Sequence, residues 1–113
     1  MKYLTVEDYQ SSIFSLNANN DNLEKFIALA EQDLEIITYN SITNTQIIKD
    51  ILVQHTDFII ENYDYLYSIT DNYSTLETNF QVGSKNCIHI NGVFILKKLY
   101  VLLCRNGFVS SRC

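Results

Sequence analysis

The chain has no proline, no tryptophan and only three glycines among its 113 residues. All-β proteins need many tight turns, and proline and glycine are the residues that make most of them. Their scarcity argues against an all-β fold and favours long helices. The length suits one domain with a single hydrophobic core and leaves little chain for a second one.

The sequence also contains no long apolar run and no N-terminal segment that resembles a signal peptide. Apolar runs such as Val93–Leu96 are a few residues long, whereas a membrane span needs about 20. Residues 1–8 contain one lysine followed by acids and no apolar stretch, which is not the pattern of a signal peptide. We therefore expect no interaction with a membrane.

Charge is sparse and mostly negative. Charged residues make up 19% and apolar residues 47%, which is too apolar for a disordered chain. The net charge of −5 argues against free binding to nucleic acid. All thirteen acids lie between Glu7 and Glu77, while residues 78–113 contain five bases and no acid. These two parts either attract each other within one chain or join neighbouring subunits in a ring.

Cysteine is rare as well. Cys87, Cys104 and Cys113 are odd in number and widely spaced, which favours free thiols in a reducing compartment over a disulfide framework. Cys104 is expected to pack as a small hydrophobic residue. Cys87 and His89 would share one face of a strand, but a structural zinc site usually has a second ligand pair. A zinc-stabilised module is therefore only an alternative interpretation.

Three helices are predicted in the first two thirds of the chain. The first begins at the N-cap Thr5, with Asp8 as capping-box partner, and runs to about Phe14. The second covers about 21–40, where apolar residues recur at three- and four-residue steps. Its apolar stripe consists of Leu23, Phe26, Ile27, Ala30, Leu34 and Ile37. Glu31, Asp33 and Glu35 are interpreted as its solvated face.

The third helix is expected to begin after Thr43 or Asn44 and to fray near Asp71. Its apolar stripe consists of Ile47, Ile48, Ile51, Leu52, His55, Phe58, Ile59, Tyr63 and Leu66. Because His55 follows this stripe, we interpret it as a half-buried helix residue and not as a catalytic base. No nucleophile turn, phosphate loop or calcium loop is present, so neither catalysis nor a cofactor is expected.

The pattern then changes to alternation, which predicts one β-hairpin. Residues 79–82 and 88–91 alternate around a turn at 83–86. A last apolar helix is expected after Asn91-Gly92, and the C-cap signal Asn106-Gly107 precedes an extended tail. The predicted fold is mainly α, with about four helices and one hairpin before the last helix.

The whole chain, residues 1–113, is expected to be one domain. Its helical body covers 1–76, the hairpin covers 77–91, and the last helix and tail cover 92–113. A hairpin and an extended tail are elements that can add strands to a neighbouring protein.

Three segments carry a resemblance to a known family. Residues 3–9 read Y-L-T-V-E-D-Y, residues 22–31 open a long helix, and residues 103–113 read L-C-R-N-G-F-V-S-S-R-C. They resemble, in order, the T-x-E-E-Y-like start, the long second helix and the L-x-x-x-G-L-x-x-R-G-like ending of the small head–tail connector proteins of tailed bacteriophages. The ending departs from that pattern at Phe108, has one extra residue before Arg112 and lacks the final glycine.

The resemblance implies a structural protein of the virion neck, assembled in the host cytoplasm. Such proteins form a ring, usually of twelve copies, between the portal of the head and the next tail component. Double-stranded DNA passes through the ring without sequence-specific binding, and an acidic channel wall would suit the acid excess of residues 1–77. The alternative from another class is a small cytoplasmic helical adaptor or regulator that binds one protein partner.

The resemblance also suggests which residues act. The tail would bind the portal, through Phe108, Val109, Ser110, Ser111, Arg112 and Cys113. The hairpin would face neighbouring subunits or the channel, through Phe80, Val82, Lys85, Ile88 and Ile90.

Overall fold

The computed structural model describes residues 3–68, 78–82 and 85–109. In these ranges five helices and three strands follow one another. They are α1 (Val6–Ser11), α2 (Leu23–Thr38), α3 (Gln46–Glu61), α4 (Tyr63–Ser68), β1 (Thr78–Val82), β2 (Lys85–Ile90), β3 (Val93–Leu96) and α5 (Lys97–Arg105). The predicted mainly α fold with a hairpin before the last helix is confirmed.

Helix α1 begins with the predicted capping box. The Thr5 hydroxyl accepts the Asp8 backbone N–H at 3.0 Å, and the Asp8 carboxylate accepts the Thr5 backbone N–H at 3.3 Å. This contact to the Thr5 N–H is the main reason why the pKa of Asp8 lies below its usual value. The helix ends at Ser11, before the expected Phe14, because Ser12 has an extended backbone.

Helices α2 and α3 pack against each other and form most of the core. All six residues of the predicted α2 stripe are buried. In α3 the stripe is buried from Ile48 to Ile59, but its first member, Ile47, is 44% exposed. The helix also ends earlier than expected, at Glu61, and α4 follows after Asn62. The predicted fraying near Asp71 lies outside the described residues.

The sheet has one strand more than the sequence analysis predicted. Its order is β1-β2-β3, with both neighbouring pairs antiparallel. Val93–Leu96, expected to open the last helix, pairs with β2 through the two-residue turn Asn91-Gly92, whose φ angles are 52° and 83°. Asn-Gly favours this left-handed pair of conformations and matches the twist of a hairpin. The last helix therefore begins only at Lys97.

The sheet lies between helices. Strand β3 contacts α2 and α3, and α5 contacts β2 and β3. Three successive residues of β2, Cys87, Ile88 and His89, are all buried, so this strand is covered on both faces. One hydrophobic cluster extends from Leu4 to Leu103. None of the described helices is long and apolar enough to cross a membrane.

Candidate functional site

The segment that follows α5 is fixed to the body of the molecule. The Phe108 N–H donates to the Leu103 carbonyl at 2.9 Å, and the Gly107 N–H donates to the Cys104 carbonyl at 3.1 Å. These two bonds, with Gly107 at φ 79°, form a Schellman cap, which confirms the predicted C-cap signal. The Ser41 hydroxyl also donates to the Phe108 carbonyl at 2.9 Å.

Two residues of the predicted portal-binding tail, Phe108 and Val109, belong to the described part of the chain. Phe108 and Val109 are partly buried and pack against the hydrophobic core of their own chain. They are thus anchoring residues at the base of the tail, with only part of their surface open to another protein. Ser110, Ser111, Arg112 and Cys113 lie outside the described residues.

The predicted subunit interface on the hairpin is not a single exposed surface. Ile88 is 2% exposed, and Ile90 packs against the core. The side chain of Ile88 is therefore unavailable to a second subunit, which corrects the expectation for this residue. Phe80 and Val82 belong to β1, at the edge of the described sheet, and their backbones lie opposite Cys87 and Lys85.

An open groove lies along the outer face of α5. Its volume is about 710 Å³, and seven residues line it: Asn86, Leu96, Lys97, Lys98, Val101, Leu102 and Arg105. The opposite face of the helix is buried through Leu99, Tyr100 and Leu103. The lining thus combines an apolar floor with three cationic side chains and no acid. We call it the α5 groove.

A second apolar surface lies in the loop between α1 and α2. We call residues 12–16 the 12–16 loop. In it, Ile13 is 91% exposed, Leu16 is 71% exposed and Phe14 is 39% exposed. Large apolar side chains seldom stand this far out of a folded surface in such close succession, and contiguous apolar patches commonly mark interaction sites. From sequence, Ile13 and Phe14 were predicted to belong to the first helix, which in the structure ends at Ser11.

A buried carboxylate holds the 12–16 loop in place. Asp57 of α3 is 4% exposed and accepts the Leu16 backbone N–H at 3.0 Å and the Asn17 side-chain amide at 2.9 Å. It also accepts the hydroxyl of Tyr9, which in turn accepts the Asn17 backbone N–H at 3.0 Å. Burial, together with the hydrogen bond to Asp57, raises the pKa of the Tyr9 phenol.

Two further acids interpreted as a solvated helix face are structural. Glu31 is 4% exposed, and its Oε2 accepts the backbone N–H groups of Tyr3 at 2.7 Å and Leu4 at 3.0 Å. Asp33 pairs with Nε2 of His55 at 2.9 Å. His55 is fully buried, not half-buried as expected, and stacks on Phe58 with ring centroids 6.0 Å apart.

Within the described ranges, the cysteines and histidines do not converge on a metal site. No group of three or more His, Cys, Asp or Glu side chains that could hold a metal ion occurs among the described residues. Cys87 is a buried thiol, and His89 is buried with its ring 4.6 Å from that of Phe94. Burial lowers the pKa of His89. Cys104 is disulfide-bonded, so the expectation of three free thiols is wrong.

The α5 groove and the 12–16 loop are the functional candidates that the sequence analysis missed. A signal for the loop was present, since Ile13, Phe14 and Leu16 interrupt an otherwise polar segment. The signal for the groove was the four-residue spacing of Lys97, Val101 and Arg105, which places them on one face of a helix.

Comparison with known proteins adds no relative. No family model matches the chain, and neither a curated protein nor a solved structure is significantly similar to it.

Proposed function

We propose that this chain is a structural assembly protein of the phage neck. It forms a ring, of about twelve copies, between the portal and the tail, extends the DNA channel and provides the platform for the next tail component. It acts by binding and geometry, without a chemical step. Its partners are further copies of itself, the portal protein, the next neck component and the double-stranded DNA that passes through.

The order of the elements is the observation that carries this proposal. A short capped helix, two long helices, the short helix α4, a three-stranded sheet, a last helix and a C-terminal segment follow one another. Apart from α4 and the third strand, this is the order that the sequence resemblance implies. The Schellman cap after α5 adds support, because it lies within the connector-like ending and uses the glycine of that ending, Gly107, to direct the chain out of the last helix.

The distribution of charge is compatible with a DNA channel. The acid excess lies in the part of the chain that forms the helical body, and the bases lie in the last third. Negative surfaces repel the phosphate backbone, so DNA can move past them without being held. Cationic residues then remain for contacts between proteins, where opposite charges favour correct pairing.

Binding to the portal tests the assigned role of the tail. Replacing residues 110–112 by three Gly or Ser residues, with Cys113 kept, should weaken binding to the portal protein of the same phage at least about tenfold. Thermal unfolding should be unchanged, because Phe108 and Val109 still anchor the base of the tail. Removing residues 108–113 should abolish binding and also lower stability, since two core contacts are lost. Unchanged portal binding in both variants would contradict the assignment.

A further inference from the structure

We propose that the 12–16 loop of one copy docks into the α5 groove of a neighbouring copy. This inference rests on the proposed ring, for which it names the two surfaces in contact. Both surfaces are apolar at the centre, and their edges carry charges of opposite sign.

The loop has the properties of a preformed docking element. Ile13 and Leu16 are 91% and 71% exposed, so most of their apolar area is available to a partner. The loop backbone is already fixed, because Asp57 accepts the Leu16 N–H at 3.0 Å and the Ser12 hydroxyl accepts the Phe14 N–H at 3.1 Å. A fixed loop loses little conformational entropy on binding, which favours affinity.

Three acidic side chains lie near the two ends of this loop. Asp8 and Asp50 line the same cavity of about 430 Å³ as Ile13. The Glu61 carboxylate lies 3.5 Å from the side-chain amide of Asn17, the residue after Leu16. One base, Lys49, also lines the cavity, but it is paired with Asp8 at 3.6 Å. The edge of the loop therefore carries a net negative charge.

The α5 groove is complementary to the 12–16 loop in its apolar lining and in the sign of its charge. Leu96, Val101 and Leu102 supply apolar lining, and Leu102 is 37% exposed. Lys97, Lys98 and Arg105 supply the positive edge. Such a groove suits a segment that is apolar at its centre and acidic at its edge. The 12–16 loop is a segment of this kind, and every copy of the chain has it.

The two surfaces share no residue, so the contact is heterologous. Each copy offers a loop to one neighbour and a groove to the other, which produces either a closed ring or an open filament. A two-fold dimer would need the same patch on both partners. This difference makes the proposal testable by mixing variants.

The test uses two variants with one disabled surface each. The loop variant combines Ile13→Ser with Leu16→Ser, and the groove variant combines Lys98→Ser with Leu102→Ser. Ile36→Ser, on α2 and 39% exposed, is the matched control because it lines neither surface. All four side chains that are changed in the two variants are exposed, and thermal unfolding checks that each variant folds.

Sedimentation velocity is measured up to about 1 mM protein, at about 50 mM and about 500 mM salt. Wild type and the Ile36→Ser control should self-associate, more weakly at high salt because the charges are screened. Each surface variant alone should associate at least about tenfold more weakly. An equimolar mixture of the two should form dimers and stop there, because only one intact loop and one intact groove meet.

A monomeric wild type, unimpaired association of either variant, or a mixture without dimers would overturn the proposal. Electron microscopy distinguishes a failure of the loop–groove contact from a failure of the proposed ring. Rings that persist in both variants would retain the proposed function and contradict the contact. Open filaments of wild type that both variants abolish would retain the contact and contradict the ring.

Discussion

Two buried carboxylates tie the N-terminal region to the helical core. Asp57 holds the loop after α1, and Glu31 holds the backbone just before α1. Each accepts hydrogen bonds from backbone N–H groups that no helix or strand satisfies. Removing such an acceptor leaves buried donors unpaired, which costs about 1–3 kcal/mol per group. The conformation of the 12–16 loop therefore depends on α3 as well as on hydrogen bonds made within the loop.

Asp57→Asn should lower the free energy of unfolding by about 2 kcal/mol, since an amide accepts at only one of its two terminal atoms. Urea unfolding measures this loss. Amide hydrogen exchange should show that the Leu16 N–H loses protection. Asp64→Asn, at an exposed position of α4, is the control and should change stability by less than about 0.5 kcal/mol. Equal effects of the two substitutions would contradict the role of Asp57.

Tyr9 predicts an alkaline limit to stability. Because its pKa is raised in the folded state, the unfolded chain releases this proton at lower pH. The stabilisation is fully present below about pH 10, the usual pKa of tyrosine, and is lost as the pH rises above it. The free energy of unfolding, measured by urea titration, should therefore fall more steeply between about pH 9 and 11 for wild type than for Tyr9→Phe. Tyr39→Phe, at a residue 79% exposed, should follow wild type, and a parallel course of all three would refute this explanation.

The roles of single residues were the least predictable from sequence. The capping pair Thr5 and Asp8 could be predicted because both partners lie within three residues of each other. Glu31 and Asp57 could not, since their partners lie 27 to 48 residues away and nothing in the adjacent sequence distinguishes them from solvated acids. Only the packing of α1 and its flanking segments on α2 and α3 buries them.

At the scale of elements, α2 and α3 were predictable because each buries one continuous stripe. Strand β3 was not, since Val93–Leu96 is an apolar run of four residues and precedes a helix directly. Such a run fits the first turn of a buried helix as well as a strand. The Asn91-Gly92 pair was the local evidence for a hairpin. In the structure this turn pairs Val93–Leu96 with β2, so these residues form a strand and not the first turn of the helix.

Gly92→Ala should test this turn. Gly92 has φ 83°, and a Cβ there would contact nothing within 4 Å, so the cost is conformational only. We expect a loss of about 1 kcal/mol in the free energy of unfolding, measured by urea titration. Gly107→Ala is the matched comparison, with φ 79° and equally open surroundings, and should cost a similar amount. Gly92→Ala with no effect would mean that the β2–β3 turn does not need a left-handed residue.

At the scale of the whole molecule, the chain combines a separation of charge with two exposed apolar surfaces. The acid-rich part of the chain carries the 12–16 loop, and the base-rich part carries the α5 groove. The sequence showed the charge separation but left open whether it acts within one chain or between chains. The exposure of Ile13 and Leu16 favours contacts between chains, because a surface satisfied within the chain would cover them.

The most direct measurement is negative-stain electron microscopy of the purified protein, alone and mixed with the portal protein of the same phage. The account predicts rings in at least the mixed sample, with a central channel wide enough for duplex DNA. Monomers that do not bind the portal would contradict the connector role and favour the small adaptor.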